Sequence, residues 1–304
     1  MRPDHASALA AAELGFLRLG LAEATRRSVA QVARAFLREV ERAPAHVELR
    51  DVRAFLAACQ ARGLAATTQA GYLSHLRAFF AALERQGLVE ANPTDGVTLP
   101  RPSPRPYRRV GEEGVARLLA AALDVPQEDP LRVARARRDR VVLELLYGLA
   151  LRSAEVRAAR VLDLDLTHGL LLVRRAKRGQ PVRLPLPPSS LPHVRAHLES
   201  RPLLARAGED QGRLVVNDLG RPYKHASGIN KLVERAAKRA GLSVHPHALR
   251  RGAATHLIRA GAPILAVQHL LGHVELNTTA IYVDLDRGDL RRAIDTLERS
   301  GDGT

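Results

Sequence analysis

A chain of 304 residues is long enough for two domains that each bury a core, and its formal net charge of +15 calls for a polyanionic partner rather than an acidic small substrate. The single cysteine, Cys59, excludes an internal disulfide framework and a cysteine-based zinc cluster and fits a reducing cytoplasm, and no apolar run approaches the roughly 18 residues of a membrane span. Aromatic residues make up 3% with no Trp, which argues against single-strand binding on stacked rings, so double-stranded DNA is the expected polyanion. The charge is uneven: residues 1–100 carry 12 Arg against 10 acidic residues, whereas the remainder carries 35 Lys plus Arg against 22. A GC-rich genome would explain Arg in place of Lys but not that excess over acids.

An Ala-rich helix precedes Leu21. From Thr25 to Arg42, Val29, Val32, Ala33, Phe36, Leu37 and Val40 recur at three and four, the period of one buried helix face. A helix near Glu48–Arg62 turns Val52, Phe55 and Leu56 inward and stops at Gly63. Thr67 or Thr68 is expected to cap the next, with Tyr72, Leu73, Leu76, Phe79, Phe80 and Leu83 on its apolar side and Gly87 at its end. These elements predict a small helical bundle without long-period repeats. Pro93, Pro100, Pro102, Pro104 and Pro106 then leave no room for a helix or central strand, so this stretch reads as a linker, its Arg101, Arg105, Arg108 and Arg109 suited either to phosphates or to a solvated tether.

Helices are predicted over Gly111–Leu123 and Arg138–Leu151, and Arg132, Arg135, Arg137, Arg138 and Arg140 precede or open the second as a basic cluster suited to backbone contact. The period then changes. Leu162, Leu164 and Leu166 alternate with Asp163 and Asp165, Leu170–Val173 is rich in β-formers, and Val182, Leu184 and Leu186 alternate again, so a β-hairpin with a basic tip at residues 174–180 is expected. Helices resume near Leu191–Glu199 and Ser227–Ala240.

The stretch from His245 to Leu285 holds five of the twelve histidines and, at Tyr282, one of five tyrosines. His247 and Arg250, at i and i+3, share a helix face, so one phosphate could touch both. His273 follows a helix ended by Gly272. A metal site built from His245, His247, His269 and His273 is the rival, without a Cys ligand or an HExxH motif to support it. Tyr282, in a chain poor in tyrosine and close in sequence to two His and an Arg, is a candidate site residue, or else a core tyrosine with a surface hydroxyl. Upstream, Arg152 follows an apolar helix with Glu155 one turn on, which suits a surface cap or an anion clamp oriented by Glu155. Lys177 is one of four Lys against 43 Arg and stands at the hairpin tip. It is a chance retention or a general acid, since an Arg there would not release a proton near neutral pH.

In order and spacing, LLYGLALRSAE, the hairpin Lys177, HPHALRRGAATH, LLGH and TTAIY resemble the tyrosine recombinases, or phage-type integrases, over the whole chain. The resemblance implies a fold that is mainly α with a small antiparallel β-sheet: a helical core-binding domain at 1–98, a Pro/Arg-rich linker at 99–109, and a mixed α/β catalytic domain at 110–304. It implies Tyr282 as nucleophile on a DNA phosphate, Arg152 and Arg250 as clamps of the non-bridging oxygens, and Lys177 as donor of a proton to the leaving 5′-oxygen. His247 would assist proton transfer with Tyr282, His273 would hydrogen-bond the phosphate, and Glu155 would support them. Neither cofactor nor metal is implied. Arg251 stands where many relatives have His, and Leu149-Ala150 where they have Thr-Gly. The run Asp289–Arg299 resembles a tail helix docked on a neighbouring protomer. With core-binding helices starting almost at once, the expected protein is a cytoplasmic, Xer-like site-specific recombinase, a tetramer of one or two kinds of subunit on paired inverted-repeat DNA sites. The alternatives are a small mobile-element integrase and a type IB topoisomerase-like enzyme.

Overall fold

The structure, a computed structural model, describes residues 3–18, 20–99, 110–174 and 180–272. The chain divides into two compact units, Met1–Pro106 and Tyr107–Thr304. The expected linker and the run Asp289–Arg299 lie almost wholly or wholly outside the described residues.

The first unit is a bundle of α1 (Pro3–Arg18), α2 (Glu23–Val40), α3 (Leu49–Ala61) and α4 (Ala66–Glu84). The three-and-four stripe of α2 is buried as its period predicts, and Phe36 at its centre packs edge-on against Phe55 at 5.3 Å and Phe80 at 5.8 Å. The Glu48 amide donates to Asp51 Oδ2 at 2.9 Å, closing the start of α3, and Gly63 follows its end at φ 79°. The start of α4 differs from expectation. Its N-cap is Ala65 without a side-chain cap, and Thr67 and Thr68 already lie in the first turn. The entry to the helix is instead tied by Gln69 Nε2, which donates to Leu64 O at 2.8 Å.

The second unit contains α5 (Glu112–Leu123), α6 (Pro130–Tyr147), α7 (Ser153–Ala158), β1 (Leu164–Asp165), β2 (Leu170–Val173), β3 (Val182–Pro185), α8 (Leu191–Ser200), α9 (Ala226–Arg239), α10 (Pro246–Arg259) and α11 (Ile264–Leu271). The strands form one antiparallel sheet in the order β1-β2-β3, with Leu171 opposite both Leu164 and Leu184 and Val173 opposite Val182. Mostly helical with this small sheet, the architecture is the one expected. Among the described residues, no helix is long and apolar enough to cross a membrane.

Helix α6 is the spine of the unit, burying Val141, Val142, Leu145 and Leu146. It begins eight residues before the predicted start, because Asp129 caps it by accepting from the Leu131 and Arg132 amides with Pro130 at the first turn. It ends at Tyr147 rather than running to Leu151. A side chain at Gly148 would meet Glu144 O at 2.9 Å and Pro187 Cγ at 3.0 Å, and Ala150, at φ 48°, turns the chain back.

The basic cluster is corrected in the same way. Its arginines lie within α6, and Arg138 is 1% exposed, held by Asp139 and Asp218 and by Val216 O at 3.1 Å. Arg140 is bound to Glu144 at 2.7 Å and to Leu119 O at 2.9 Å. These two guanidiniums are engaged inside the fold. Leu162 is also not a strand residue: it projects into solvent from a 3-10 turn, 94% exposed. Asp163 faces inward instead, accepting from the Arg160 amide at 2.9 Å and from Arg174 at the end of β2.

Candidate active site

The turn after α6 and the start of α10 come together around one carboxylate. Arg152 is the N-cap of α7, and Glu155, at its third position, accepts from the Arg152 amide at 2.8 Å and from Arg152 Nη1 at 3.0 Å. Oε2, the oxygen that accepts from the Arg152 amide, also stands 3.9 Å from Nη1 of Arg250. Glu155 is buried while the Arg152 side chain is 44% exposed, so the carboxylate orients a guanidinium that still faces solvent. As the sequence suggested, Arg152 has Glu155 one turn on. It is at once a helix cap and an available cation.

Arg250 is 1% exposed. A buried guanidinium is costly unless its donors are filled. Here its Nη1 donates to Ala150 O and its Nη2 to Leu271 O. The second acceptor is a last-turn carbonyl of α11 without an intrahelical partner, so each group satisfies the other. Arg250 thereby joins the turn after α6, the start of α7 and the end of α11. Gly272, at φ 59°, closes α11 in the left-handed conformation.

His247 lies on the first turn of α10, a helix entered through Pro246 and capped by His245 Nδ1, which accepts from the Ala248 amide at 3.2 Å. Partial loss of hydration holds the His247 imidazole below its usual pKa. The positive charges of Arg251, Arg250, His245 and Arg152 add to that effect. His247 is therefore within electrostatic reach of both arginines and is biased toward the neutral form, able to accept a proton.

The structure thus brings Arg152, His247 and Arg250 together, with Glu155 between the arginines. Lys177, His273 and Tyr282 lie outside the described residues. Two of them are near described elements in sequence: Lys177 lies between the paired strands β2 and β3, and His273 is next after Gly272.

Three supports were missed from sequence. Two are the carbonyls of Ala150 and Leu271, which no residue type announces. The third is Tyr147, whose hydroxyl is 2.9 Å from His256 Nδ1 and pins the end of α6 to α10. Its signal was present, a tyrosine ending an apolar helix and a histidine on the face of α10.

Residues 108–288 match the Phage integrase family, and residues 20–87 match the phage integrase N-terminal SAM-like domain. Tyrosine recombinase XerC of Alcanivorax borkumensis is 35% identical over 247 residues, covering 81% of this chain and 78% of that protein. The chain belongs to the phage integrase family. Solved members share the fold. A Tn1549 transposon integrase in complex with a circular intermediate DNA superposes with a TM-score of 0.71 at 17% identity, covering 95% of this chain and 99% of that one. The XerH site-specific recombinase bound to palindromic difH substrate gives 0.65 at 22% identity, covering 90% and 78%. As a phage integrase family member with XerC relatives, the protein is a site-specific tyrosine recombinase, an enzyme of DNA strand cleavage and transfer. The Xer-like reading is favoured over the mobile-element and topoisomerase alternatives.

Proposed function

We propose that this recombinase resolves DNA dimers in the cytoplasm, acting as a tetramer on two copies of an inverted-repeat site in double-stranded DNA. Residues 1–98 bind the core of the site, residues 99–109 link, and residues 110–304 carry the chemistry. The Tyr282 oxygen attacks phosphorus, forming a 3′-phosphotyrosine and releasing a 5′-hydroxyl. The phenol, with a pKa of about 10, needs a base and a cationic pocket to react. His247 takes part in its proton transfer, and His273 hydrogen-bonds the phosphate. Arg152 and Arg250 offset the charge that builds on the non-bridging oxygens, and Lys177 gives its proton to the departing 5′-oxygen. The phosphodiester energy is kept in the tyrosyl ester, and attack by a 5′-hydroxyl of the partner site reverses the step.

The observation that supports this reading is the pair of guanidiniums on Glu155, one buried and fixed, one facing solvent, with a histidine in the field of both. A nicked suicide duplex carrying the cognate site tests it. The wild-type chain should form an SDS-resistant covalent adduct, and Tyr282→Phe should form none; equal adduct from both would remove Tyr282 as nucleophile.

A further inference from the structure

A second concentration of positive charge lies at the other end of α6. That helix has 18 residues, so its first turn is roughly 25 Å from the end that leads to Arg152. Arg132, Arg135 and Arg138 recur at every third position of α6, and Arg235 and Arg239 lie four apart on α9. All five line one cleft with Asp139 and Asp218.

The two carboxylates are already committed. Asp139 Oδ1 accepts from Arg138 Nε at 2.9 Å and Nη2 at 2.8 Å, and Asp218 Oδ1 accepts from Arg138 Nη1 at 2.8 Å. Arg135 Nε is then left 3.9 Å from Asp218 Oδ1, and Arg235 Nη2 is 4.0 Å from Asp218 Oδ2, both beyond hydrogen-bonding distance. Among the described residues, Arg135 Nε is buried without a hydrogen-bond partner, and Arg239 is in no salt bridge, though its charge acts on Asp139. Arg132 is held at the rim by Asp129 at 3.1 Å.

Guanidiniums crowded into a cleft repel one another unless an anion sits between them. The cavity volume of about 380 Å³ falls within the range of small-molecule sites, about 300–1,000 Å³. A duplex does not enter a cleft of that size, whereas a short phosphate chain does. Two stripes of guanidinium on facing helices suit two linked phosphates better than one.

We infer that the cleft between α6 and α9 binds a diphosphate group, as carried by inorganic pyrophosphate or a nucleoside triphosphate, through Arg135, Arg235 and Arg239. The ligand bridges the two helices far from the Glu155 site, and its binding does not depend on the recombination chemistry.

Calorimetry on the full chain with inorganic pyrophosphate, ATP and orthophosphate tests this. Pyrophosphate and ATP should each bind at least tenfold tighter than orthophosphate, ATP the tighter if a nucleotide is the source and equal if the inorganic ion is. The Arg135→Gln/Arg235→Gln variant should weaken both at least tenfold while its covalent adduct on the suicide duplex stays at the wild-type level. Arg152→Gln should leave pyrophosphate binding unchanged. Should the double variant not fold, Arg239→Gln, which breaks no ion pair seen in the structure, is read the same way. The inference is overturned by absence of binding, by equal affinity for orthophosphate and pyrophosphate, by ATP binding without pyrophosphate binding, or by loss in Arg152→Gln. It also fails if the arginine variant loses duplex affinity as much as pyrophosphate affinity, since those side chains would then belong to the DNA surface.

Discussion

Glu155 Oε2 and Arg250 Nη1 stand 3.9 Å apart with both side chains buried, and Glu155 is the single carboxylate paired with this guanidinium among the described ion pairs. The same carboxylate holds Arg152 at 3.0 Å, so its charge supports two cations whose positions must agree. Glu155→Gln keeps the shape and removes the charge. It is expected to destabilise the fold by about 1–3 kcal/mol and to slow adduct formation at least tenfold, because both guanidiniums lose their common reference. Urea unfolding and suicide-duplex kinetics read the two effects, and a variant with wild-type values in both would show that Glu155 is dispensable.

Periodicity made the bundle legible because its helices each bury one face: the stripe of α2 and the Phe-rich side of α4 are seen directly in the three-and-four spacing. The same logic failed on α6. Arg138 occupies a core position, and a charged residue there reads as surface unless its partner Asp218, 80 residues away, is known. Leu162 and Asp163 exchange roles for a related reason, since Asp163 is drawn inward by Arg174 across the sheet. In the site, Arg152, Glu155, His247 and Arg250 were visible as residue types at telling spacings. What fixes Arg250, the carbonyls of Ala150 and Leu271, comes from backbone conformation, on which side-chain identity is silent.

Ala150 is one such position. At φ 48° a non-glycine residue bears roughly 1–2 kcal/mol of strain, yet its methyl is fully buried and contributes about 0.8 kcal/mol. Ala150→Gly relieves the strain but loses the methyl and loosens the unfolded chain, so the net change is expected within about 1 kcal/mol of zero. Ala150→Val adds a branched side chain in the same conformation and should cost more than about 2 kcal/mol. Since Ala150 O is an acceptor for Arg250, the Val variant should also lose adduct formation. Chemical denaturation separates the pair, and a Val variant as stable as the parent would contradict the left-handed turn.

His197 of α8 gives the fold an acid limit. It is fully buried, and its Nε2 donates to Leu214 O at 3.0 Å. Burial first, and then the charges of Arg201 and Arg138, push its pKa down from 6.5 to about 4, against the opposing effect of the Leu214 carbonyl. The unfolded chain therefore takes up this proton at a higher pH than the folded one. Stability from the neutral ring is complete above about pH 6.5 and is lost as the pH falls toward 4, by up to about 1.4 kcal/mol per unit. Urea unfolding at pH 7 and pH 4.5 should show this drop. His197→Met should be less stable at pH 7 but fall about 2 kcal/mol less between the two values, and parallel profiles would assign the acid sensitivity elsewhere.

Lys177 differs from the arginines around it in one respect that a substitution isolates. Arg keeps the positive charge but holds its proton too tightly to release it near neutral pH. If Lys177 protonates the departing 5′-oxygen, Lys177→Arg should bind the site with near-wild-type affinity and cleave it at least a hundredfold more slowly, in the range of a lost general acid. A substrate with sulfur at the 5′-bridging position needs no proton to leave. On that substrate the variant should approach the wild-type rate, whereas Arg152→Gln, which lacks a charge rather than a proton, should stay slow. Failure of sulfur to rescue Lys177→Arg, or equal rescue of both variants, would remove Lys177 as the acid and leave it as one more cation in the sequence between β2 and β3.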